Sequence, residues 1–270
     1  MHSPWLSIIT VVKDAPDDFV STLSSVRAQD TAGVEFIVVD SSSDPGALPA
    51  LLRDVTDIPH RYRWLDPTGV YPAMNAGLEM ATGEYAYFLN AGDTLLAPTS
   101  LSEVKSIIES RRPQWLFADV EMTDAKGGVL VTPDWDYDAE QRAGFSRGHF
   151  PCHQGTFVRA AELRSLGGFN TDYRIVADYE MFLRLSQRAR PARLKQPVAR
   201  FQPGGLSSQH WREASAEFHQ ARRAVLRPTG SRAARELWET WRLFAATAVY
   251  RSLWAPGRPA HGVMARLRGR

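Results

Sequence analysis

Two short stretches, Leu6–Val12 (LSIITVV) and Glu35–Asp40 (EFIVVD), are almost continuously apolar and rich in β-branched residues. Runs of this kind form strands buried on both faces, which occur in parallel sheets with helices above and below. The sequence between them supports that reading. Phe19, Leu23 and Val26 recur at helical spacing, and Pro16 suits a first helical turn. Further along, Gly46–Asp54 reads as a short helix, Tyr62–Leu65 as a third strand, and Pro72–Ala81 as a helix stopped by Gly83. Glu84–Leu89 (EYAYFL) reads as a strand, Leu101–Arg111 as a helix and Trp115–Val120 as a strand. The alternation predicts an α/β fold: a single Rossmann-like, mostly parallel sheet flanked by helices.

Residues 121–155 are less regular and read as a long loop with a hairpin around Gly127-Gly128. They include the acidic-aromatic run Asp134-Trp135-Asp136-Tyr137-Asp138. Asp178–Gln187 is an amphipathic helix, Leu194–Phe201 a late strand, and Trp211–Leu226 a helix broken at Pro228-Thr229-Gly230. Ser231 is the expected N-cap of a last helix reaching Trp254.

Composition excludes several classes. The 270 residues are 44% hydrophobic and 23% charged, which is incompatible with wholesale disorder or a fibrous repeat. Cys152 is the single cysteine, so no intrachain disulfide or cysteine-rich zinc cluster can form. The first residues, MHSPWLSIITVV, lack a basic leader and read as a core strand rather than a signal peptide. The net charge of +2 hides an asymmetry: residues 1–183 hold 14 Lys+Arg against 26 Asp+Glu, and residues 184–270 hold 18 against 4. A basic end of this kind suits an anionic partner.

Two strands end in carboxylate-bearing turns, Val38-Val39-Asp40 and Leu89-Asn90-Ala91-Gly92-Asp93. Ligands of open α/β sheets bind beyond the carboxyl ends of strands, so both turns point at one crevice. There Asp40 can accept hydrogen bonds from a ribose or base, and Asp93 can hold a hard divalent cation against a diphosphate. Alternatively, each aspartate simply caps the turn that follows it.

The ordered set of motifs resembles the family 2 glycosyltransferases. It comprises Ser7–Val12, Val38–Ser43, Gly69-Val70-Tyr71-Pro72-Ala73-Met74-Asn75-Ala76-Gly77, Ala81–Tyr85 and Phe88–Asp93. Cys152-His153-Gln154, Gly167-Gly168-Phe169-Asn170, Ile175–Glu180 and Gly204-Gly205-Leu206-Ser207 extend the resemblance toward the branch that builds bacterial surface polysaccharides and glycolipids, including colanic-acid-type transferases. The resemblance spans about residues 6–210 and implies the GT-A fold. It also implies a nucleotide-binding half over about 1–120 and an acceptor-side half over 121–210; residues 211–270 beyond it read as a basic aromatic helical extension and tail.

The activity implied is inverting transfer of a sugar from a nucleotide-diphosphate sugar, UDP-sugars favoured, to a hydroxyl of a lipid-linked or polysaccharide acceptor. The resemblance makes Asp178 the catalytic base and Asp93 the ligand of a divalent cation, Mn²⁺ or Mg²⁺. Thr10, Val12, Asp14, Asp40, Asn75, Asn90, Ala91 and Gly92 are the implied nucleotide- and donor-binding positions. Tyr71, His153, Gln154 and His210 are implied lining of the acceptor or donor-sugar pocket. Two departures from the family pattern stand out: Asn90 replaces the leading acid of the metal motif, and Asp40-Ser41-Ser42-Ser43-Asp44 is shorter than the usual turn.

Leu243–Tyr250 is apolar but too short to cross a bilayer, which needs about 20 residues. Trp238, Trp241, Phe244, Tyr250 and Trp254 interleave with Arg235, Arg242 and Arg251, and Arg258, Arg266, Arg268 and Arg270 follow. Aromatics among arginines suit an anionic head-group surface, or else the helix packs on the core with its arginines in solvent. The expected placement is cytoplasmic, peripheral on the inner face of the plasma membrane. Nucleic acid is not an expected partner, because no recognition module accompanies the charge. A nucleotidyltransferase would want a Gly-rich loop after the first strand, which Val11–Ala15 lacks. A non-catalytic nucleotide-binding protein of the same fold is the remaining rival, motivated by Asn90.

Overall fold

The computed structural model describes residues 3–123, 129–131, 150–201 and 205–254. In chain order the first half runs β1 (Leu6–Val12), α1 (Pro16–Arg27), β2 (Val34–Asp40), α2 (Ala47–Leu52), β3 (His60–Trp64), α3 (Val70–Met80) and β4 (Tyr85–Phe88). Then come β5 (Thr94–Leu95), α4 (Ser100–Arg111), β6 (Trp115–Thr123), β7 (Val129–Val131), β8 (Thr156–Arg159) and α5 (Ala160–Ser165). The chain closes with α6 (Ala177–Arg188), β9 (Ala192–Phe201), α7 (Leu206–Gln209), α8 (Trp211–Leu226) and α9 (Ser231–Trp254).

The strands form one sheet in the order β3-β2-β1-β4-β8-β6-β9-β5, with β7 paired to β6. The expected parallel arrangement holds for β3, β2, β1 and β4. Beyond them the sheet is mixed: β8 runs antiparallel to both β4 and β6, and β9 is parallel to β6 but antiparallel to β5. β6 and β7 pair antiparallel, Glu121 opposite Val131, as the strands of a hairpin would. Gly127-Gly128 and the Asp134–Asp138 run lie outside the described residues.

The apolar strands are buried on both sides, as their composition demands. Ile9, Ile37 and Val39 face a core shared with Met74 of α3, Phe182 of α6 and Ala221 of α8. Their neighbours Ile8, Phe36 and Val38 face the opposite core with Phe19 of α1, Leu48 of α2 and Val104 of α4. Each such buried Ile or Phe contributes about 1.5–3 kcal/mol. The helix α8 therefore belongs to the core through Ala214 and Ala221, although it lies past the boundary expected at residue 210.

Two local expectations change. Gly83 does not end α3, which stops at Met80 with Ala81 extended. Its role is close approach: a Cβ there would lie 2.6 Å from Ser7 Oγ and 2.7 Å from Ser7 N. That gap lets the Gly83 and Thr82 N–H groups donate to Glu35, which also accepts from Ser7 and pairs with Arg61. The last helix starts at Ser231 itself, where Ser231 was expected to cap it.

Candidate active site

Strand register places three turns side by side. Val12 pairs with Asp40, so the segments after β1 and β2 leave the sheet together. Leu89 and Ala91 N–H donate to Ile9 and Val11 carbonyls, which carries the Asn90–Asp93 turn along the same edge. This is the carboxyl end of the parallel strands, the expected ligand crevice.

The first two turns are stitched to each other. Asp14 N–H donates to Ser42 Oγ at 2.9 Å, and Ser43 N–H donates to Asp14 Oδ1 at 2.7 Å. The bond from Ser43 is the main reason the Asp14 carboxyl lies below its ordinary pKa. Asp14 adopts φ 52°, rare for a non-glycine residue and characteristic of turns held by their surroundings. Asp40 is fully buried. Its Oδ1 accepts Ser42 N–H at 2.8 Å and its Oδ2 accepts the Tyr62 hydroxyl at 2.9 Å. Thr10 and Val12 are buried in the strand, and the Thr10 hydroxyl donates to Leu89 O at 2.7 Å.

Thr22 of α1 fixes the third turn. Its hydroxyl donates to Asp93 O at 2.7 Å and accepts Gly92 N–H at 3.0 Å. Gly92 has φ 93°, which a side chain would strain. The Asp93 side chain is held inward, 8% exposed. Burial pushes its pKa up to about 6, opposed by the His153 charge and a hydrogen bond from Gln154. Asn90 Nδ2 lies 3.4 Å from His153 Nε2, while its buried Oδ1 has no hydrogen-bond partner.

His153 and Gln154 arrive on a single 3₁₀ turn, His153–Gly155, just before β8. Tyr87 anchors that turn by donating to Gln154 O at 2.7 Å. From the other side, α6 presents Asp178 in its first turn, one residue inside the helix rather than as its cap. Asp178 Oδ2 lies 3.3 Å from His153 Nδ1. Its Oδ1 accepts Tyr179 N–H at 2.8 Å and lies 3.0 Å from the Tyr71 hydroxyl. Burial lowers the His153 pKa, but the Asp178 hydrogen bond and the Asp178 and Asp93 charges outweigh it and raise the net value. The imidazole thus bridges the Asn90–Asp93 turn to Asp178. Desolvation, with the charges of Asp178 and Asp93, pushes the nearby Cys152 thiol up to about 12, which removes it as a nucleophile.

Two expected site residues behave differently. Asn75 does not present its amide to the crevice: Nδ2 donates to Phe169 O and Oδ1 accepts Phe169 N–H, both at 2.8 Å. It ties α3 to the Gly168-Phe169 turn. His210 stands at the N-cap position of α8 with Nδ1 3.3 Å from Glu213 Oε1. No described hydrogen bond or ion pair links it to Asn90, Asp93 or Asp178. Thr22 and Tyr62 carry no motif signal of their own. They act on the backbone or a carboxylate of the turns from elements apart in sequence.

Comparison with known proteins fits this geometry. The profile described as glycosyl transferase family 2 matches residues 7–159, more than half of the chain. The chain belongs to family 2 of the glycosyltransferases. A relative described as PGL/p-HBAD biosynthesis glycosyltransferase of Mycobacterium bovis (strain BCG / Pasteur 1173P2) is 30% identical over 191 residues, 68% of this chain and 70% of that protein. Among solved structures, S. aureus TarS 1-349 superposes with TM-score 0.69 at 16% identity, over 93% of this chain and 75% of that one. The same TarS fragment is also solved in complex with UDP-GlcNAc. The mannosyltransferase PcManGT of Pyrobaculum calidifontis, in complex with GDP-Man and Mn²⁺, superposes with TM-score 0.66 at 18% identity, over 98% of this chain and 80% of that one. The fold of this family 2 chain is GT-A.

Proposed function

We propose that this family 2 enzyme is an inverting transferase that moves a sugar from a UDP-sugar to an acceptor hydroxyl in one displacement. The observation that carries the reading is Asp178, a half-buried carboxylate oriented by Tyr71 and His153, across from the Asn90–Asp93 turn. In this reading Asp178 takes the proton from the acceptor hydroxyl as that oxygen attacks the anomeric carbon. The bond to the diphosphate breaks on the opposite face, which inverts the centre. A carboxylate held beside the acceptor, opposite the leaving diphosphate, is the group such a displacement requires. Asp14, Asp40, Thr10 and Val12 shape the nucleotide floor, and Ala91 and Gly92 bring backbone to the diphosphate.

The residues fit a hard divalent cation, Mn²⁺ or Mg²⁺. Asn90 Oδ1, buried and without a hydrogen-bond partner, would serve as an oxygen ligand, and the Asp93 carboxylate would supply the charge. No group of three His, Cys, Asp or Glu side chains stands together among the described residues. Diphosphate and water oxygens would therefore complete the shell, as is usual for Mg²⁺. A bound cation of this type neutralises charge on the leaving diphosphate.

The acceptor we propose is a lipid-linked or glycan hydroxyl, in keeping with the description of the relative as a PGL/p-HBAD biosynthesis glycosyltransferase. The enzyme would work at the cytoplasmic face of the membrane, attached peripherally through α9. Support comes from the way α9 sorts its side chains: Glu236 and Glu239 are buried, while Leu237, Trp238 and Trp241 are 49%, 61% and 65% exposed. Arg232, Arg235 and Arg242 are exposed, Arg242 while paired with Glu239 at 2.8 Å. Aromatics and arginines turned outward suit an anionic head-group layer. No helix among the described residues is long and apolar enough to cross a membrane.

Hydrolysis of UDP-, GDP- and dTDP-sugars with Mn²⁺, followed by NMR of the released sugar, tests the reading. Initial release of the anomer opposite to that of the donor is expected. Retention, or UDP binding with no turnover of any donor or acceptor, would refute it.

A further inference from the structure

We infer that Glu217 is a positioning residue for Asp178, acting through the backbone of Arg174–Val176. The inference rests on the reading of Asp178 as the base. It starts from a missing part: α6 has Val176 at its N-cap position, which offers no side-chain oxygen to the N–H groups there. Glu217, from α8, supplies one in trans. Its Oε1 accepts Arg174 N–H at 3.1 Å, and its Oε2 accepts Ile175 N–H at 2.9 Å and Val176 N–H at 3.1 Å. Three consecutive N–H groups converging on one carboxylate form a nest, a geometry matched to an anion.

The opposite side of the same segment is also held. Ile175 O accepts the Tyr71 hydroxyl at 2.8 Å, and that hydroxyl is the one facing Asp178 Oδ1. The three residues before Ala177 are thus clamped between α8 and α3, and Asp178 follows with its backbone direction already set. The helix carrying Glu217 is itself anchored. Phe218 packs edge-on against Tyr179 with ring centroids 4.7 Å apart. Arg222, 2% exposed, binds Glu236 Oε1 at 2.5 Å and Thr240 Oγ1 at 2.7 Å, and reaches Tyr179 Oη at 3.4 Å. A carboxylate on a helix fixed this way transmits its position rather than following the loop.

The test uses the full-length protein with Glu217→Ala and Glu217→Gln. Hydrogen–deuterium exchange should be at least about 10-fold faster at the Arg174–Val176 amides in the alanine variant, with part of the protection recovered by glutamine and β1 and β2 unchanged. Unchanged exchange at those amides would overturn the clamp. Hydrolysis of UDP-GlcNAc, UDP-galactose and GDP-mannose with Mn²⁺ gives the second readout. The alanine variant should lose about 10–100-fold in kcat, with donor KM within about twofold of wild type. In the Asp178→Asn background the same alanine substitution should cost nothing more, because both changes remove one function. Losses that multiply would mean Glu217 acts elsewhere and would overturn the inference. Wild-type turnover by Asp178→Asn alone would instead remove the base reading, and the exchange data would still decide the clamp.

Discussion

The Tyr71 hydroxyl stands 3.0 Å from Asp178 Oδ1 and 2.8 Å from Ile175 O, so one phenolic proton serves both the carboxylate and the backbone before it. Burial, and next the Asp178 charge, raise the Tyr71 pKa well above its ordinary value, so the phenol remains a donor through the working pH range. Tyr71→Phe should lower kcat about 10-fold and stability by about 1–2 kcal/mol, the cost of leaving a buried acceptor unpaired. Both losses should be alike at pH 6 and pH 9. Kinetics and denaturant melts at the two pH values check this, and a loss confined to the higher pH would contradict it.

Asp93 should make stability pH-dependent in the metal-depleted protein. A carboxyl raised to about 6 is harder to ionise folded than unfolded, where the value is about 3.9. Its destabilising effect is therefore absent below about pH 4, grows as pH rises, and is complete above about pH 6. The full effect is on the order of 2–3 kcal/mol. Asp93→Asn, which cannot ionise, should gain stability over wild type at pH 8 in EDTA and gain none at pH 4. Mn²⁺ should narrow the pH 8 difference by stabilising wild type. Urea melts at both pH values, with and without Mn²⁺, would show it, and equal stability of the two proteins at pH 8 would refute it.

Glu35 should act in the opposite sense. Burial alone would raise its pKa, but hydrogen bonds from Ser7, Thr82 and Arg61 outweigh that and lower it. Its contribution is present above the unfolded value of about 4.3 and is lost as pH falls through the lower folded value. Glu35→Gln should cost about 1.5–3 kcal/mol at pH 7, because it removes the charge from a buried carboxylate that accepts several hydrogen bonds, one of them from the 42% exposed Arg61. The difference from wild type should shrink in acid. A deficit that stays constant down to pH 3 would show that the charge is not responsible.

The exposed aromatics of α9 should matter for attachment and little for folding. Trp238→Ser combined with Trp241→Ser should weaken co-sedimentation with phosphatidylglycerol-containing vesicles while moving Tm by no more than about 2 °C. Unchanged sedimentation with a collapsed melt would assign the two tryptophans to packing instead.

Much of this arrangement is visible in the amino-acid sequence, and the rest is hidden for identifiable reasons. Leu6–Val12 and Glu35–Asp40 declare their strands because burial on both faces demands unbroken apolar runs. β5 has only two residues and β8 only four, too few for any period to emerge. The Asn90–Asp93 turn and Asp178 stand out because they match the ordered motifs of the family. Asn75 carries the same kind of motif signal, yet its amide is absorbed by Phe169. Glu217 carries none, because its partners are backbone N–H groups more than 40 positions away. The Arg258, Arg266, Arg268 and Arg270 tail lies outside the described residues.

The pairing of β5 with β9 bears on how this chain can be divided. Thr94, the residue after Asp93, lies opposite Arg200, and Leu95 lies opposite Ala199. The turn that offers Asn90 and Asp93 therefore leans on backbone supplied more than 100 residues later. A fragment ending at residue 159, where the family profile stops, would keep every nucleotide-side motif and lose the ladder beneath Asp93 together with Asp178. A cut at that point parts the Asn90–Asp93 turn from its supporting edge, because that edge comes from β9, synthesised long after the turn itself.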